Sequence, residues 1–242
     1  MPIFVELDLY LEVTPRSAPM NMAIDEALLE YAKSPSIRFY RWDCPAISFG
    51  YFGRFADVAS YARERDLVRR WTGGGTVFHG DDLTYSIVIP ASDPIFAESS
   101  MSIYAAVHEA VRDALAANGQ RAELATVAAL YERRDQIDSA AADRRYSILR
   151  TSDNGACFAN PVHADVLVND RKVAGAAQRR TRTGLLHQGS IQHVDLGNDL
   201  AERFANKLSD KCDEEILDRR VIERARELAA QKYGTETWLC KR

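Results

Sequence analysis

The segment ADVLVNDRKVAGAAQRRTRTGLLHQGSIQ, residues 164–192, carries the clearest strand pattern in this chain. It contains three runs of mainly apolar and small residues, 164–168, 172–178 and 185–192, each of strand length. Asn169-Asp170 joins the first two runs, and such a pair favours a tight hairpin turn. The segment therefore predicts a three-stranded antiparallel meander.

The residues on either side of this segment predict helices and further strands. An apolar stripe at helical spacing indicates a helix over 20–32. A serine at 99 or 100 can cap a second helix that ends before Gly119, and residues after 198 are again helical. Strand-like runs occupy 37–42, 46–51, 77–78 and 83–89.

This order of elements predicts the fold class. Helices and strands do not alternate as βαβ units, so we expect an α+β fold, a mainly antiparallel mixed sheet flanked by helices. A length of 242 residues fits one large domain or two small ones. The charged stretch 132–150 is weakly periodic, and we expect it to be a mobile loop.

Composition and charge narrow the functional classes. Apolar residues make up 46% of the chain and charged residues 27%, which is ordinary for a globular protein. The net charge of −4 supplies no basic field, so nucleic acid is not the expected partner. An acidic carrier protein would need a local basic patch, which Arg179, Arg180 and Arg182 are placed to provide.

The cysteines and the hydropathy pattern argue against several other classes. The four cysteines are far apart and form no C-x-x-C pair, so we expect neither a metal site nor a disulfide framework. The N-terminus lacks the pattern of a signal peptide, and no apolar run reaches the 18 residues of a membrane span. We predict a protein of the reducing cytoplasm.

A glycine run forms the first candidate site, in the stretch RRWTGGGTVFH, residues 69–79. Gly73-Gly74-Gly75 lacks the spacing of a phosphate loop, and three glycines alone are more often a flexible turn. Flanking arginines and a following strand favour a rigid turn whose N–H groups face an anion or a carbonyl. Arg70 would clamp that group, and His79 is either a site residue or an ordinary hydrogen-bonded strand residue.

A lysine on the middle strand of the meander forms the second candidate site. Period-two alternation places Lys172 on one face with Ala174, Ala176 and Gln178. A lysine beside small residues indicates the wall of a cleft with room for a substrate. The alternative is a surface lysine whose stem lies along the protein.

A cysteine that precedes this lysine by fifteen residues is the third candidate. The hairpin between Cys157 and Lys172 is expected to bring the two side chains near each other. A neighbouring ammonium lowers the pKa of a thiol and so produces a nucleophilic thiolate. The alternative is a buried, inert cysteine, which is how we interpret Cys44, Cys212 and Cys240.

In their order and spacing, these blocks resemble the lipoate-protein ligase and octanoyltransferase family. The resemblance extends over nearly the whole chain and implies one catalytic domain, 1–242, of the biotin/lipoate-ligase type without a C-terminal accessory domain. The blocks that carry it are NMAIDEA at 21–27, RFYRW at 38–42, SFGYF at 48–52, the glycine run, LTYS at 83–86, the lysine strand, LHQGS at 186–190 and KYGTETW at 232–238.

The resemblance implies an acyl transfer. Cys157 resembles the nucleophile of single-chain octanoyltransferases, which take octanoate from acyl carrier protein and pass it to a lysine of lipoyl domains. The implied acceptors are the E2 subunits of 2-oxoacid dehydrogenases or the glycine cleavage H protein, and no cofactor is implied. The implied catalytic residues are Cys157 and Lys172. The implied substrate-binding residues are Arg70, Gly73, Gly74, Gly75, His79, Asp165, Gly175, Ala176 and Ala177.

Two alternatives remain open in the sequence. Three consecutive glycines are typical of the ligase branch. Transferases, in contrast, often have arginine at the position of Gly75. In an ATP- and Mg²⁺-dependent ligase, the glycine run and Lys172 would hold the phosphate of an acyl-adenylate and Cys157 would be a bystander. The second alternative is an inactive relative that only binds lipoyl domains, against which the joint presence of Cys157 and Lys172 argues.

Overall fold

The computed structural model describes residues 2–126 and 161–241. In these ranges the chain forms an eight-stranded sheet, a three-stranded sheet and five α-helices. The predicted loop at 132–150 lies outside the described residues. No helix in the two described ranges is both long and apolar enough to cross a membrane.

Eleven strands build the two sheets within the described ranges. In chain order they are β1 (Leu7–Leu11), β2 (Ser36–Tyr40), β3 (Ala46–Phe49), β4 (Asp66–Arg69), β5 (Val77–His79), β6 (Leu83–Pro90), β7 (Ala122–Leu124), β8 (Val166–Val168), β9 (Arg171–Arg180), β10 (Gly184–Ile191) and β11 (Cys212–Glu214). The large sheet has the order β11-β1-β2-β6-β10-β9-β8-β7, and the small sheet has the order β4-β3-β5. Only β1 pairs in parallel in the large sheet, with β11 and β2, so the sheet is mainly antiparallel as predicted.

The helices begin at residues that suit helix starts. They are α1 (Ala18–Tyr31), α2 (Ser100–Ala117), α3 (Leu200–Leu208), α4 (Arg219–Leu228) and α5 (Glu236–Leu239), with a π-helical turn, Ala229–Tyr233, after α4. The Ser99 hydroxyl accepts a hydrogen bond from the backbone N–H of Ser102 and caps α2. The Asp218 carboxylate caps α4 through the backbone N–H of Arg220.

Helices cover both faces of the large sheet because its central strands are apolar on both sides. On β6, Ile87 and Ile89 belong to a core cluster with residues of α2 and α3, whereas Val88 belongs to a cluster with residues of α1 and α4. Leu185 and Leu186 of β10 divide between the two clusters in the same way. Successive side chains on a strand point to opposite faces, so each strand contributes to both cores. The α+β prediction is confirmed.

The meander predicted from residues 164–192 forms as β8, β9 and β10. Asn169 and Asp170 have φ values of 50° and 60° in the turn between β8 and β9. Both values lie in the left-handed region that asparagine and aspartate tolerate better than most residues. The local turn chemistry therefore produced the predicted hairpin.

The prediction that Lys172 shares one face of β9 with Ala174, Ala176 and Gln178 is wrong. The pairing of β8 with β9 shifts register between Val166 and Leu167, so a bulge interrupts the alternation next to the lysine. Ala174 packs into the core, whereas the Lys172 side chain runs along Gly175, where an added Cβ would lie 2.5 Å from its Cε. The bulge brings the lysine to the face of the sheet that carries the pocket described next.

Candidate active site

A pocket opens between the small sheet and the middle of the large sheet, and Arg70 lines it whereas Gly73, Gly74 and Gly75 do not. Small residues of β9 and β10 line one side, namely Gly175, Ala176, Ala177 and Gly189. Apolar side chains such as Met22, Trp42 and Val77 line the other sides. The lining therefore suits an unbranched apolar chain, and it includes five of the predicted site residues: Arg70, His79, Gly175, Ala176 and Ala177.

The glycine run lies against the end of β3 with almost no space between the backbones. A Cβ added to Gly50 would be 2.1 Å from the carbonyl oxygen of Gly74, so only glycine fits there. Gly74 itself has a φ of +83°, which glycine adopts without strain. The run is thus a defined turn, in agreement with the rigid interpretation of the sequence.

Arg70 holds this turn in place. Its guanidinium donates to the carbonyl oxygens of Gly73 at 3.0 Å and Gly75 at 2.7 Å, and to the Ser48 hydroxyl at 2.7 Å. These bonds fix two carbonyls of the run toward the arginine. The Arg70 side chain also lines the pocket, so it is placed to contact a substrate. That contact stays a prediction.

His79 is the centre of a buried chain of hydrogen bonds beside the pocket. Its Nδ1 lies 2.8 Å from the Asp82 carboxylate, and its Nε2 lies 2.7 Å from the Ser48 hydroxyl. The ring stacks on Trp42 with centroids 4.1 Å apart. His79 is therefore a hydrogen-bonded residue of β5 that also lines the pocket, and its contact with a substrate stays a prediction.

The Asp82 carboxylate is charged and heavily hydrogen-bonded. Besides His79 it accepts the hydroxyls of Thr84 at 2.7 Å and Ser190 at 2.6 Å. Burial opposes the charge, but His79 and these hydroxyls outweigh it and hold the pKa of Asp82 well below its usual range. Sequence reasoning missed Asp82 and Ser48 as parts of the site. The signal available in the sequence for Asp82 was an acidic residue three positions after the candidate His79.

Lys172 and Asp165 form a buried ion pair next to Gly175. The Lys172 Nζ lies 2.8 Å from the Asp165 carboxylate, and both side chains are almost completely buried. The same carboxylate accepts the Tyr104 hydroxyl at 2.5 Å and the backbone N–H of Val162 at 2.6 Å. Asp165 is therefore placed to orient the lysine. These hydrogen bonds favour that role over the predicted contact with substrate.

The predicted nucleophile, Cys157, lies outside the described residues, so its proximity to Lys172 stays a prediction. Among the cysteines that the structure describes, Cys44 is exposed, and Cys212 and Cys240 are partly buried. Desolvation and hydrogen bonds to Asp66 and Asp43 raise the pKa of Cys44 to about 11. Its thiol is therefore a poor nucleophile at neutral pH.

One group of possible metal ligands occurs in the described part of the chain. It consists of Asp43, Cys44 and Asp66 and does not line the pocket. Acidic groups of this kind are common on surfaces without an ion. It has no connection to the predicted chemistry.

A second buried network of hydrogen bonds lies next to the pocket, and the sequence analysis did not predict it. Asp25 of α1 accepts hydrogen bonds from Arg38 at 2.8 Å and from the Gln188 amide at 2.7 Å. Gln188 in turn accepts the Thr72 hydroxyl at 2.7 Å. This chain ties helix α1 and strands β2 and β10 to the residue that precedes the glycine run.

The predicted basic patch is divided between different surroundings. Arg179 lies over the rings of Tyr51 and Trp71, near the glycine run. Arg180 instead donates to the carbonyl oxygens of Phe96 and Glu98. The two neighbouring arginines therefore do not form one patch, because successive side chains on β9 point in opposite directions.

Comparison with known proteins gives a family match and named relatives. The family model of the lipoyl protein ligase A/B catalytic domain matches residues 17–230. Octanoyltransferase LipM of Oceanobacillus iheyensis is 30% identical over 221 residues, which cover 87% of this chain and 74% of that protein. LipM of Bacillus cereus is 32% identical over 197 residues, which cover 77% of this chain and 66% of that protein.

Solved structures share the fold. Lipoate-protein ligase A bound with ATP superposes with a TM-score of 0.70 at 24% identity, covering 98% of this chain and 99% of that one. A bipartite lipoate protein ligase from Thermoplasma acidophilum, described with its E2 lipoyl domain, gives 0.66 at 21% identity over 98% and 96% of the two chains. At these identities the likeness shows the fold alone.

Proposed function

Because this chain belongs to the lipoyl protein ligase A/B catalytic domain family, we propose that it is an octanoyltransferase. It moves an octanoyl group from octanoyl-acyl carrier protein, through a cysteine thioester, to a lysine of a lipoyl domain. The observation that carries this proposal is the identity of about 30% with named octanoyltransferases over most of the chain.

The pocket supports an apolar acyl substrate. Glycine and alanine side chains on β9 leave space that larger residues would fill, and Met22, Trp42 and Val77 supply apolar contacts. Each methylene that leaves water contributes about 0.8 kcal/mol, so an eight-carbon chain gains several kcal/mol from such a site. Lys172 does not itself line the pocket, but its Cε and Nζ lie beside Gly175, which does, and we propose that the polar end of the chain lies there.

The proposed reaction has two steps. In the first, the Cys157 thiolate attacks the carbonyl carbon of the donor thioester, a new C–S bond forms, and the carrier leaves as a thiolate. In the second, the amine of the acceptor lysine attacks the octanoyl-cysteine, a C–N bond forms, and Cys157 leaves. The proton lost by the amine passes to the released thiolate or to water.

Lys172 has the role of stabilising the oxyanion in both steps. A well-placed donor of this kind contributes about 3–4 kcal/mol to the transition state. Asp165 and Tyr104 keep the ammonium at the pocket, since the three groups are joined by short hydrogen bonds. This mechanism needs neither a metal nor a cofactor.

The substrates also suggest where the protein works. We propose that the reaction takes place in the cytoplasm, with acyl carrier protein as donor and the E2 subunits of 2-oxoacid dehydrogenases or the glycine cleavage H protein as acceptors. We also propose that residues 1–242 act as a single catalytic domain, since the family match spans most of them.

The second candidate function is an ATP-dependent lipoate or octanoate ligase. The three consecutive glycines keep it open, because they resemble the ligase branch and because donors that suit an oxyanion also suit an adenylate phosphate. In that reaction ATP and Mg²⁺ would be required and Cys157 would not.

One experiment separates the two functions. The protein is incubated with a lipoyl domain and either octanoyl-carrier protein or octanoate with ATP and Mg²⁺, and intact mass is recorded. We expect an octanoyl adduct on the enzyme and on the acceptor lysine with the carrier-bound donor only. Cys157→Ala removes both, while the matched control Cys44→Ala, at an exposed cysteine outside the pocket, keeps both. Modification from free acid and ATP that persists in Cys157→Ala would show the ligase function instead.

A further inference from the structure

Three cations lie on the faces of aromatic rings near the C-terminal end of β9. We call Arg179, Lys232 and Lys241, with the rings beneath them, the basic–aromatic cluster. Arg179 and Lys232 lie over the Trp71 ring at 5.1 Å and 4.5 Å. The other rings complete the cluster: Tyr51 lies under Arg179 and Lys241, and Trp238 lies under Lys232 and Lys241. Ring contacts hold these cations without neutralising them.

The cluster carries more positive than negative charge. Within residues 2–126 and 161–241, Glu26 is the one carboxylate that forms an ion pair with any of its cations, and it pairs with Lys232 at 2.5 Å. In these ranges Arg179 and Lys241 form no ion pair. Burial lowers the pKa of Lys232, Glu26 raises it, and the charges of Arg179 and Lys241 lower it further. Like charges held this close repel one another, and an anion between them would remove the repulsion.

The position of the cluster relates it to the pocket. Gly175, Ala177 and Arg179 alternate on one face of β9, and the first two line the pocket. Gly175, where the Lys172 ammonium lies, and Arg179 are four residues apart on this strand, a separation of about 13 Å. Trp71 follows Arg70, which braces the glycine run. An extended ligand can therefore reach from the lysine to the cluster.

We propose that the basic–aromatic cluster binds the phosphate of the phosphopantetheine arm that carries the acyl group. This inference rests on the proposed function, because it names the part of the donor that the site recognises. The donor has a thioester at one end of a flexible arm and a phosphodiester at the other. With the thioester carbonyl at Lys172, the arm follows β9 and its phosphate meets Arg179, Lys232 and Lys241. Arginine and lysine are the usual partners of phosphate, and the rings preorganise them.

The test uses two unreactive donor analogues that differ by one phosphate. In octanoyl-phosphopantetheine and octanoyl-pantetheine the thioester sulfur is replaced by NH, and binding to the whole protein is measured by calorimetry. We expect the phosphorylated analogue to bind about tenfold more tightly. In Arg179→Gln and Lys241→Met the ratio falls to below about twofold, since each variant removes one of the charged donors. Circular dichroism checks that both variants are folded.

The neighbouring arginine provides the matched control. Arg180→Gln removes the same charge one residue away, but Arg180 contacts Phe96 and Glu98 rather than the cluster. This variant is expected to keep the tenfold ratio. An equal loss in Arg180→Gln would show a general charge effect and overturn the inference.

The remaining outcomes are also decisive. Equal binding of the two analogues, or binding of neither, overturns the phosphate site. Weaker binding of the carrier by Arg179→Gln with an unchanged analogue ratio would show contact with acidic side chains of the carrier, which also overturns it. The proposed function is judged separately, by acylation of the protein from octanoyl-carrier protein. That acylation can succeed while the analogue test fails.

Discussion

The Lys172 ammonium and the Asp165 carboxylate are 2.8 Å apart, and both side chains are almost completely buried. A lysine in an open cleft would be dispensable for folding, but this one is part of the packed structure. The proposed catalytic role of Lys172 and its contribution to stability therefore involve the same pair.

We expect Lys172→Ala to lower the free energy of unfolding by about 3–5 kcal/mol, because it leaves a buried carboxylate without its cation. Denaturant unfolding measures this. The double variant Lys172→Met with Asp165→Asn should recover much of the stability and none of the activity. A Lys172→Ala protein as stable as the wild type would show that the pair contributes little to folding.

Gly175→Ala is expected to reduce acyl transfer strongly and also to lower stability, because it disturbs the buried Lys172–Asp165 pair. The added Cβ would lie 2.5 Å from the Cε and 2.7 Å from the Nζ of Lys172, so the tip of the lysine must move. Acylation kinetics and unfolding measurements separate the two effects. Gly80→Ala is the matched control, since nothing lies within 4 Å of its added Cβ and Gly80 is exposed. Normal kinetics in Gly175→Ala would mean that the lysine position is not critical.

The buried His108 predicts a loss of stability in mild acid. Burial lowers the pKa of His108 to about 4, below the unfolded value of about 6.5. The unfolded state therefore binds a proton between these pH values while the folded state does not. Stability is highest above pH about 6.5 and falls as pH decreases toward about 4, by on the order of 3 kcal/mol from this residue.

The variant His108→Gln tests whether His108 causes this loss of stability in mild acid. Glutamine can still donate to the carbonyl oxygen of Ala164, the partner of the His108 Nδ1. We expect the variant to have a flatter dependence of unfolding free energy on pH between 4 and 6.5. A slope identical to that of the wild type would assign the acid sensitivity to other groups, such as His187, whose pKa burial also lowers.

The Asp82 carboxylate is expected to make stability depend on pH in a more acidic range than His108 does. Its pKa is depressed in the folded state, so its contribution to stability is complete above its unfolded pKa of about 3.9 and is lost as pH falls below that value. Asp82→Asn should therefore be less stable than the wild type at pH 7, with a difference that shrinks in acid. A difference that is independent of pH would point to lost packing rather than lost charge.

Local patterns in the sequence determined much of this protein. Alternating apolar residues and the Asn169-Asp170 turn were enough to predict the meander, because strand alternation and turn geometry depend on neighbouring residues. Gly73-Gly74-Gly75 was recognisable as a turn for the same reason. The family resemblance then related these local patterns to an acyl transfer, which the named relatives support.

Tertiary structure alone decided how the side chains meet. A shift in pairing between β8 and β9 turned Lys172 toward Gly175, and no local alternation contains that information. Ser48 and His79 are 31 residues apart and meet because β3 pairs with β5. Partners of this kind depend on which strands become neighbours, a property of the whole chain. The sequence therefore predicted the candidate residues, and the fold decided which of them orient, brace or line the site.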